Sequence, residues 1–160
     1  MATAPLLDFD FLRAQPVLYD LDEIRKRNRQ RYEMEQLSAI VYLNPDEGLV
    51  AGYKEITENE FWVRGHIPER PLMPGVIMLE AGAQVSSFYF YTVFPDAPFF
   101  GFAAIDEAKF RGMVVPGQRL YLLAKALQMK PRRAYFQTQG MVDGKIVFEA
   151  RLLGIALDGK

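Results

Sequence analysis

Two patterns of hydrophobic residues alternate along the chain, one typical of β-strands and one typical of a buried helix. Residues 34–43 and 49–56 carry apolar, β-branched and aromatic residues on either side of the turn sequence NPDEG, which predicts a β-hairpin. The second half of the chain shows further strand-like runs, with turn signals at Pro116-Gly117 and Asp143-Gly144. These predicted strands cover residues 99–105, 108–115, 119–129, 133–142 and 145–156.

The segment between the hairpin and the later strands has a helical pattern. From Val76 to about Tyr91 it contains no proline, and Glu80 is its only charged residue. Apolar side chains cover nearly every face of this predicted helix, a pattern that indicates burial on all sides. Pro74 suits the first helical position. A curved antiparallel sheet wrapped around the long buried helix is the simplest arrangement, so we predict an α+β fold.

The N-terminal part of the chain does not continue these patterns. Residues 1–19 contain two prolines and are expected to be irregular, whereas Asp20 is a suitable N-cap for a short helix that ends near Asn28. We therefore predict an N-terminal extension with a short helix over residues 1–28, followed by one domain over residues 29–160.

Composition narrows the class of protein. Half of the 160 residues are hydrophobic, enough for one core, and the formal net charge of −1 indicates neither a nucleic-acid partner nor a charged membrane surface. The absence of cysteine excludes disulfides and thiolate chemistry. No apolar run reaches the ~18–20 residues of a membrane span, and acidic residues near the N-terminus do not fit a signal peptide. We expect a cytoplasmic protein without a membrane span.

One charge run stands out, the sequence RKRNRQR at residues 25–31. Two interpretations stay open, a solvated helix face and a docking surface for an acidic partner.

The chemistry that the sequence offers is concentrated between residues 64 and 84. His66 is the only histidine of the chain, and Glu80 is a lone acid in an otherwise apolar helix. Burial should raise the pKa of Glu80 and suit it to act as a general acid, while an imidazole titrates in the range of a general base. The backbone N–H of Gly75, at the start of the helix, lacks an intrahelical partner and could polarise a substrate carbonyl.

Other kinds of site are poorly supported. A single histidine without cysteine leaves no plausible zinc site, and the sequence contains neither a calcium-loop spacing nor a glycine-rich phosphate loop. We therefore expect a reaction that needs no metal and no cofactor.

The residues GHIPERPLMPGVIMLEAGAQ, at 65–84, strongly resemble the motif of the β-hydroxyacyl-acyl carrier protein dehydratases, a family with the hot-dog fold. The resemblance continues in AAIDEAKFRGMVVPGQRL, at 103–120, and in VDGKIVFEARL, at 142–152. It implies a cofactor-independent enzyme of fatty acid biosynthesis that converts (3R)-hydroxyacyl-acyl carrier protein to trans-2-enoyl-acyl carrier protein. It also implies a homodimer, or a higher assembly of dimers, with each active site shared between two chains.

The resemblance further implies a role for each motif residue. His66 removes the proton from C2 of the substrate, and Glu80 of the other chain protonates the departing 3-hydroxyl. The Gly75 amide holds the thioester carbonyl, and Gln84, four residues after Glu80, orients the acid, a spacing that helix geometry allows. A sister branch that also isomerises the double bond carries aspartate at the helix acid, so Glu80 favours the dehydratase-only branch.

The chain departs from the family motif before the first hairpin. The family has Pro-His-Arg-Tyr-Pro-Phe where residues 29–34 read RQRYEM, and Ile67 replaces a phenylalanine. Substrate choice is therefore open, as are two alternative functions: an acyl thioesterase in which Glu80 activates water, and a non-catalytic subunit that pairs with an active partner. Basic residues near a tunnel mouth could steer an acidic carrier; the candidates are Lys109, Arg111, Lys130, Arg132 and Arg133. Aromatic residues that could line an acyl tunnel are Phe88, Phe99, Phe100 and Phe102.

Overall fold

The computed structural model describes residues 3–157, and one antiparallel sheet of six strands forms its frame. The strands lie side by side in the order β1-β2-β4-β5-β6-β3. Their bounds are β1 (Ala39–Asn44), β2 (Leu49–Glu55), β3 (Phe100–Phe110), β4 (Arg119–Lys130), β5 (Arg133–Val142) and β6 (Lys145–Ala156).

Three α-helices accompany the sheet: α1 (Phe9–Arg13), α2 (Leu21–Arg25) and α3 (Gly75–Val93). A short 3₁₀ helix spans Tyr32–Met34. The long helix α3 packs against β4, β5 and the neighbouring strands, which confirms the predicted α+β fold with a helix inside an antiparallel sheet.

The core lies between α3 and the concave face of the sheet. Phe88 and Phe90 of the helix are fully buried, as are Phe136 and Phe148 of the sheet. Gly82 allows the helix to approach the sheet closely, because a Cβ there would lie 3.2 Å from the Thr138 hydroxyl. The sheet and the loops thus surround the helix and bury the apolar side chains that cover most of its faces.

Two sequence predictions need correction. The segments 99–105 and 108–115 were expected to be separate strands, but one strand, β3, runs from Phe100 to Phe110, and residues 111–115 belong to no strand. The apparent break is a β-bulge between Asp106 and Lys109, which inserts extra residues without ending the pairing with β6. Residues 1–19 were expected to be irregular, yet they contain α1, whose first turn is capped by the Asp8 carboxylate.

The N-terminal residues pack on the outer face of the sheet and form a second, smaller apolar layer. Leu12 is fully buried there in a cluster with Val41 and Leu123. The buried amide of Gln139 receives a 2.8 Å hydrogen bond from the Leu6 N–H and donates one of 3.0 Å to the Ala4 carbonyl. The extension is thus attached along its length, and the boundary at residues 28 and 29 stays a prediction.

The two edges of the sheet differ. The outer edge of β1 is partly covered, because Tyr19 forms an antiparallel bridge with Ile40. Among residues 3–157, no strand pairs with the outer edge of β3. This strand exposes Phe102, Ile105 and Phe110, each with 45% or more of its surface accessible. A long apolar edge strand is a ready surface for pairing with another chain.

Within residues 3–157, no helix is both long enough and apolar enough to cross a lipid bilayer.

The buried contact of Leu12 predicts that the extension stabilises the whole domain. Leu12→Ala should lower the free energy of unfolding by about 2–4 kcal/mol, because it removes apolar contacts and leaves a cavity under α1. Leu18→Ala makes the same chemical change at a side chain that is 52% exposed and should cost less than about 1 kcal/mol. Urea denaturation measures both, and equal losses would contradict the structural role of Leu12.

Candidate active site

His66 lies in the loop that leads into α3, and its ring is held by a backbone carbonyl. Its Nδ1 is 2.7 Å from the Leu72 carbonyl oxygen, and its backbone N–H donates to the Trp62 carbonyl at 2.8 Å. A carbonyl oxygen only accepts hydrogen bonds, so Nδ1 carries the proton and Nε2 keeps its lone pair. The imidazole is therefore oriented to accept a proton at Nε2.

Gly75 is the first residue of α3 and lies beside His66. Its N–H and that of Val76 have no hydrogen-bond partner among residues 3–157, as expected for the first turn of a helix. A Cβ on Gly75 would lie 2.8 Å from the Phe110 ring, so glycine permits this close approach. His66 and Gly75 line the same open cavity of about 450 Å³, together with Met73, Met78 and Phe110.

Glu80 lies about one and a half turns further along α3, where its side chain is half-buried. Burial raises the pKa of the Glu80 carboxyl above its ordinary value of 4.5, and a hydrogen bond from Gln84 partly offsets this rise. Gln84 Nε2 donates to Glu80 Oε1 at 2.8 Å. When the carboxyl is protonated, its proton therefore resides on Oε2.

Gln84 connects Glu80 to the segment that precedes the first hairpin. Besides Glu80, its Nε2 donates to the Met34 carbonyl at 2.7 Å, and its Oε1 accepts from the Gln36 N–H at 2.8 Å. The Gln84 backbone carbonyl accepts a further bond of 2.9 Å from the Asn28 amide. Every polar atom of this buried side chain is used, so the amide has one fixed orientation and so does the carboxyl it holds.

A cavity of about 210 Å³ begins at Glu80 and extends along α3. Ala83, Ser86 and Ser87 of the helix form one wall. The opposite wall is mainly apolar and consists of Phe99, Phe100, Gly101, Phe102, Phe136, Leu152 and Gly154, with Gln30 beside them. Such a cavity suits an apolar chain whose reacting end lies at the carboxyl.

Within one chain, the four predicted site residues fall into two groups. His66 and Gly75 line one cavity, and Glu80, oriented by Gln84, lines the other. The two cavities share no lining residue. A single chain thus presents the base and the acid at different places on its surface.

The other candidates from the sequence have mixed outcomes. Phe99, Phe100 and Phe102 line the Glu80 cavity, whereas Phe88 is fully buried and does not. Arg111 forms an ion pair of 2.5 Å with Glu149, so its charge is already compensated.

Most of the basic residues between positions 25 and 31 have intramolecular partners. Lys26 is exposed and pairs with Glu23, which favours the interpretation of a solvated helix face for this residue. Arg27 also pairs with Glu23, but its guanidinium lies over the Tyr19 and Phe88 rings. Arg29 is exposed, and its guanidinium lies 5.2 Å from the centre of the Phe99 ring.

Sequence reasoning missed Gln30 as a lining residue. It also missed the backbone groups of residues 34 and 36 as partners of Gln84, because main-chain groups carry no residue-type signal.

Comparisons with known proteins identify relatives of this chain. A family model described as FabA-like domain matches residues 28–151. A 3-hydroxyacyl-[acyl-carrier-protein] dehydratase FabZ from Clostridium botulinum is 38% identical over 138 residues, which cover 84% of this chain and 93% of that protein.

Two solved structures extend the comparison to the fold. The dehydratase heterocomplex ApeI:P from Xenorhabdus doucetiae matches with a TM-score of 0.69 at 12% identity, over 84% of this chain and 91% of that one. A hypothetical thioesterase from Streptococcus pneumoniae, solved with coenzyme A, matches with a TM-score of 0.58 at 8% identity, over 74% and 84%. At these identities the likeness shows the hot-dog fold alone. The family model and the identity to the clostridial relative go further, and they show that the chain belongs to the family of FabA-like domains.

Proposed function

We propose that this protein dehydrates a (3R)-hydroxyacyl group on acyl carrier protein to a trans-2-enoyl group in fatty acid biosynthesis. Relatives at 37–38% identity that span most of the chain are named 3-hydroxyacyl-[acyl-carrier-protein] dehydratases. The observation that carries the proposal is Glu80, a half-buried carboxyl with a raised pKa, oriented by Gln84 at the start of an apolar cavity. A raised pKa keeps more of this carboxyl protonated at a given pH, which suits it to act as a general acid.

The reaction assigns one proton transfer to each residue. His66 Nε2 takes a proton from C2 of the thioester, and the electron pair of that C–H bond forms the C2=C3 double bond. The C3–O bond breaks, and Glu80 gives the proton on Oε2 to the departing hydroxyl, which leaves as water. His66 ends protonated and Glu80 ends ionised, so proton exchange with solvent restores both for the next turnover.

Gly75 supplies the third part of the mechanism. Negative charge develops on the thioester carbonyl oxygen as the C2 proton leaves, and the free Gly75 N–H, at the positive end of the α3 dipole, can stabilise this charge by donating a hydrogen bond to the oxygen. Because His66 lines the same cavity, a thioester bound there places its C2 hydrogen near the base.

The proposal requires two chains. His66 and Gly75 line one cavity of a chain and Glu80 lines another, so a complete site forms when the two groups face each other across a dimer. The unpaired β3 edge, with Phe102, Ile105 and Phe110 exposed, supports pairing of two copies through this strand. We infer a homodimer with two shared sites.

Two further points belong to the proposal. Glu80, rather than aspartate, at the helix acid favours dehydration without isomerisation of the double bond. The cytoplasmic location and the reaction without a cofactor stay predictions.

Substitution of either catalytic residue should strongly reduce turnover. His66→Ala removes the base and Glu80→Gln removes the acid, and each should lower kcat by about 10²–10⁴-fold, the range that one acid–base group supplies. The measurement is enoyl product formed from 3-hydroxyacyl-acyl carrier protein, with Glu58→Gln at an exposed turn as the matched control.

Near-normal turnover by either folded variant would contradict the assigned pair. Release of a free thiol in place of enoyl product, detected with a thiol-reactive dye, would instead select the thioesterase alternative. Activity that appears only when a second, different subunit is added would support the alternative of a non-catalytic subunit that pairs with an active partner.

The raised pKa of Glu80 also predicts how stability depends on pH. At acidic pH the carboxyl is neutral in both the folded and the unfolded state, so wild type and Glu80→Gln should be similarly stable. As pH rises above the ordinary 4.5 and then through the raised pKa of the folded state, the wild type must ionise a half-buried group and loses stability relative to the variant. Denaturation midpoints between pH 4 and pH 9 measure the difference, with the variant Glu58→Gln of an exposed side chain as the control. A constant difference between wild type and Glu80→Gln would contradict the raised pKa.

A further inference from the structure

Gln30 carries a buried polar atom that has no partner and belongs to the wall of the Glu80 cavity. In the described range 3–157, five buried side-chain nitrogen or oxygen atoms have no hydrogen-bond partner. Of these five, only the Oε1 atom of Gln30 belongs to a residue that lines the cavity of about 210 Å³ beginning at Glu80. A buried acceptor without a donor is costly, so this oxygen is a candidate for binding a donor group of a ligand.

The backbone around Gln30 is held in place on both sides. The Arg31 guanidinium donates to the backbone carbonyl of Gln30 at 2.7 Å and to that of Asn28 at 2.8 Å. The buried Asn28 amide donates in turn to the Gln84 backbone carbonyl of α3 at 2.9 Å. These three bonds attach residues 28–31 to the helix that carries Glu80, so the Gln30 side chain starts from a fixed backbone position.

Gln30 also lies close to the two side chains that form the acid. Gln30 and Gln84 line one void of only about 10 Å³, and Gln84 Nε2 is 2.8 Å from Glu80 Oε1. No other described residue lines both this void and the Glu80 cavity. The Gln30 side chain is therefore located beside Gln84, at the end of the cavity where Glu80 lies.

The group that reacts beside Glu80 is a hydroxyl, which both accepts and donates hydrogen bonds. Its oxygen accepts the proton that Glu80 carries on Oε2, so its own hydrogen needs a separate acceptor inside the cavity. Glu80 Oε1 already accepts from Gln84, whereas Gln30 Oε1 has no donor within residues 3–157. The hydroxyls of Ser86 and Ser87 also line the cavity, but these residues lie about 9–10 Å further along the helix axis, at ~1.5 Å per residue.

We propose that Gln30 Oε1 accepts a hydrogen bond from the 3-hydroxyl of the substrate and thereby turns a lone pair of the hydroxyl oxygen toward Glu80. The inference rests on the proposed function and adds a substrate-positioning residue to it. The same bond holds the leaving oxygen as the C3–O bond breaks and water forms. A saturated acyl chain has no hydroxyl, so Gln30 distinguishes the substrate from a saturated chain of the same length.

The test is a binding measurement in the His66→Ala background, in which the substrate is not consumed. Kd values of (3R)-hydroxyhexanoyl- and hexanoyl-acyl carrier protein are compared for His66→Ala and for the double variant that also carries Gln30→Met. Methionine is unbranched like glutamine and lacks the amide oxygen. The preference for the hydroxyacyl chain should fall about tenfold, because its hydroxyl loses a buried acceptor, and the Kd of the saturated chain should change less than twofold.

Gln128→Met in the same background is the matched control, because it makes the same chemical change at an exposed side chain of β4. It should leave both Kd values unchanged. Gln30 Oε1 makes no hydrogen bond within residues 3–157, so Gln30→Met should not lower the urea midpoint of unfolding. A hydroxyl preference within twofold of His66→Ala, or an equal loss of affinity for both acyl chains, would overturn the proposal.

Turnover of the hydroxyacyl substrate by the wild type separates this inference from the proposed function. Dehydration by the wild type, with an unchanged hydroxyl preference in the double variant, would retain the reaction and reject the role of Gln30. A lost hydroxyl preference without dehydration by the wild type would retain Gln30 as a hydroxyl-binding residue and reject the reaction.

Discussion

The hydrogen bonds of Gln84 are the interaction on which the rest of the site depends. Its amide binds the Glu80 carboxyl, the Met34 carbonyl and the Gln36 N–H at distances of 2.7–2.8 Å. A buried amide left without partners is costly, so these bonds fix both the acid on α3 and the segment that enters the first strand. The same amide limits the rise in the Glu80 pKa, because its N–H stabilises the ionised form. One side chain therefore fixes the position of the acid and partly offsets the effect of burial on its pKa.

The incomplete site within one chain follows from the architecture. The base lies in the loop before α3 and the acid is inside the helix, so their cavities face different parts of the surface. The β3 edge provides the apolar surface through which a second copy can complete both. N-terminal residues pack on the outer face and partly cover the opposite edge, so β3 is the more available edge in the part of the chain that the structure describes.

Local sequence patterns predicted most helices and strands of this fold, but they did not predict contacts between residues that are far apart in the sequence. The Asp143-Gly144 turn was predictable because both residues adopt positive φ, which this dipeptide tolerates. The β3 bulge was mistaken for a break, since a bulge interrupts the periodicity of a strand without ending it. Gln84 was recognised through the family motif, but its backbone partners are 48 and 50 residues away and leave no trace in local spacing. The contact between Arg29 and Phe99 was not predictable from local spacing, because Phe99 follows only after the whole of α3.

The central claim is that two chains share each active site, and a mixed dimer tests it most directly. His66→Ala and Glu80→Gln chains carrying different affinity tags are co-expressed, and the dimer that contains one of each is isolated and assayed for dehydration. If base and acid come from different chains, one of the two sites has neither substitution, and the mixed dimer should show roughly half of wild-type activity per dimer. If both residues of a site come from one chain, no intact site remains, and a mixed dimer as inactive as either parent would contradict the account.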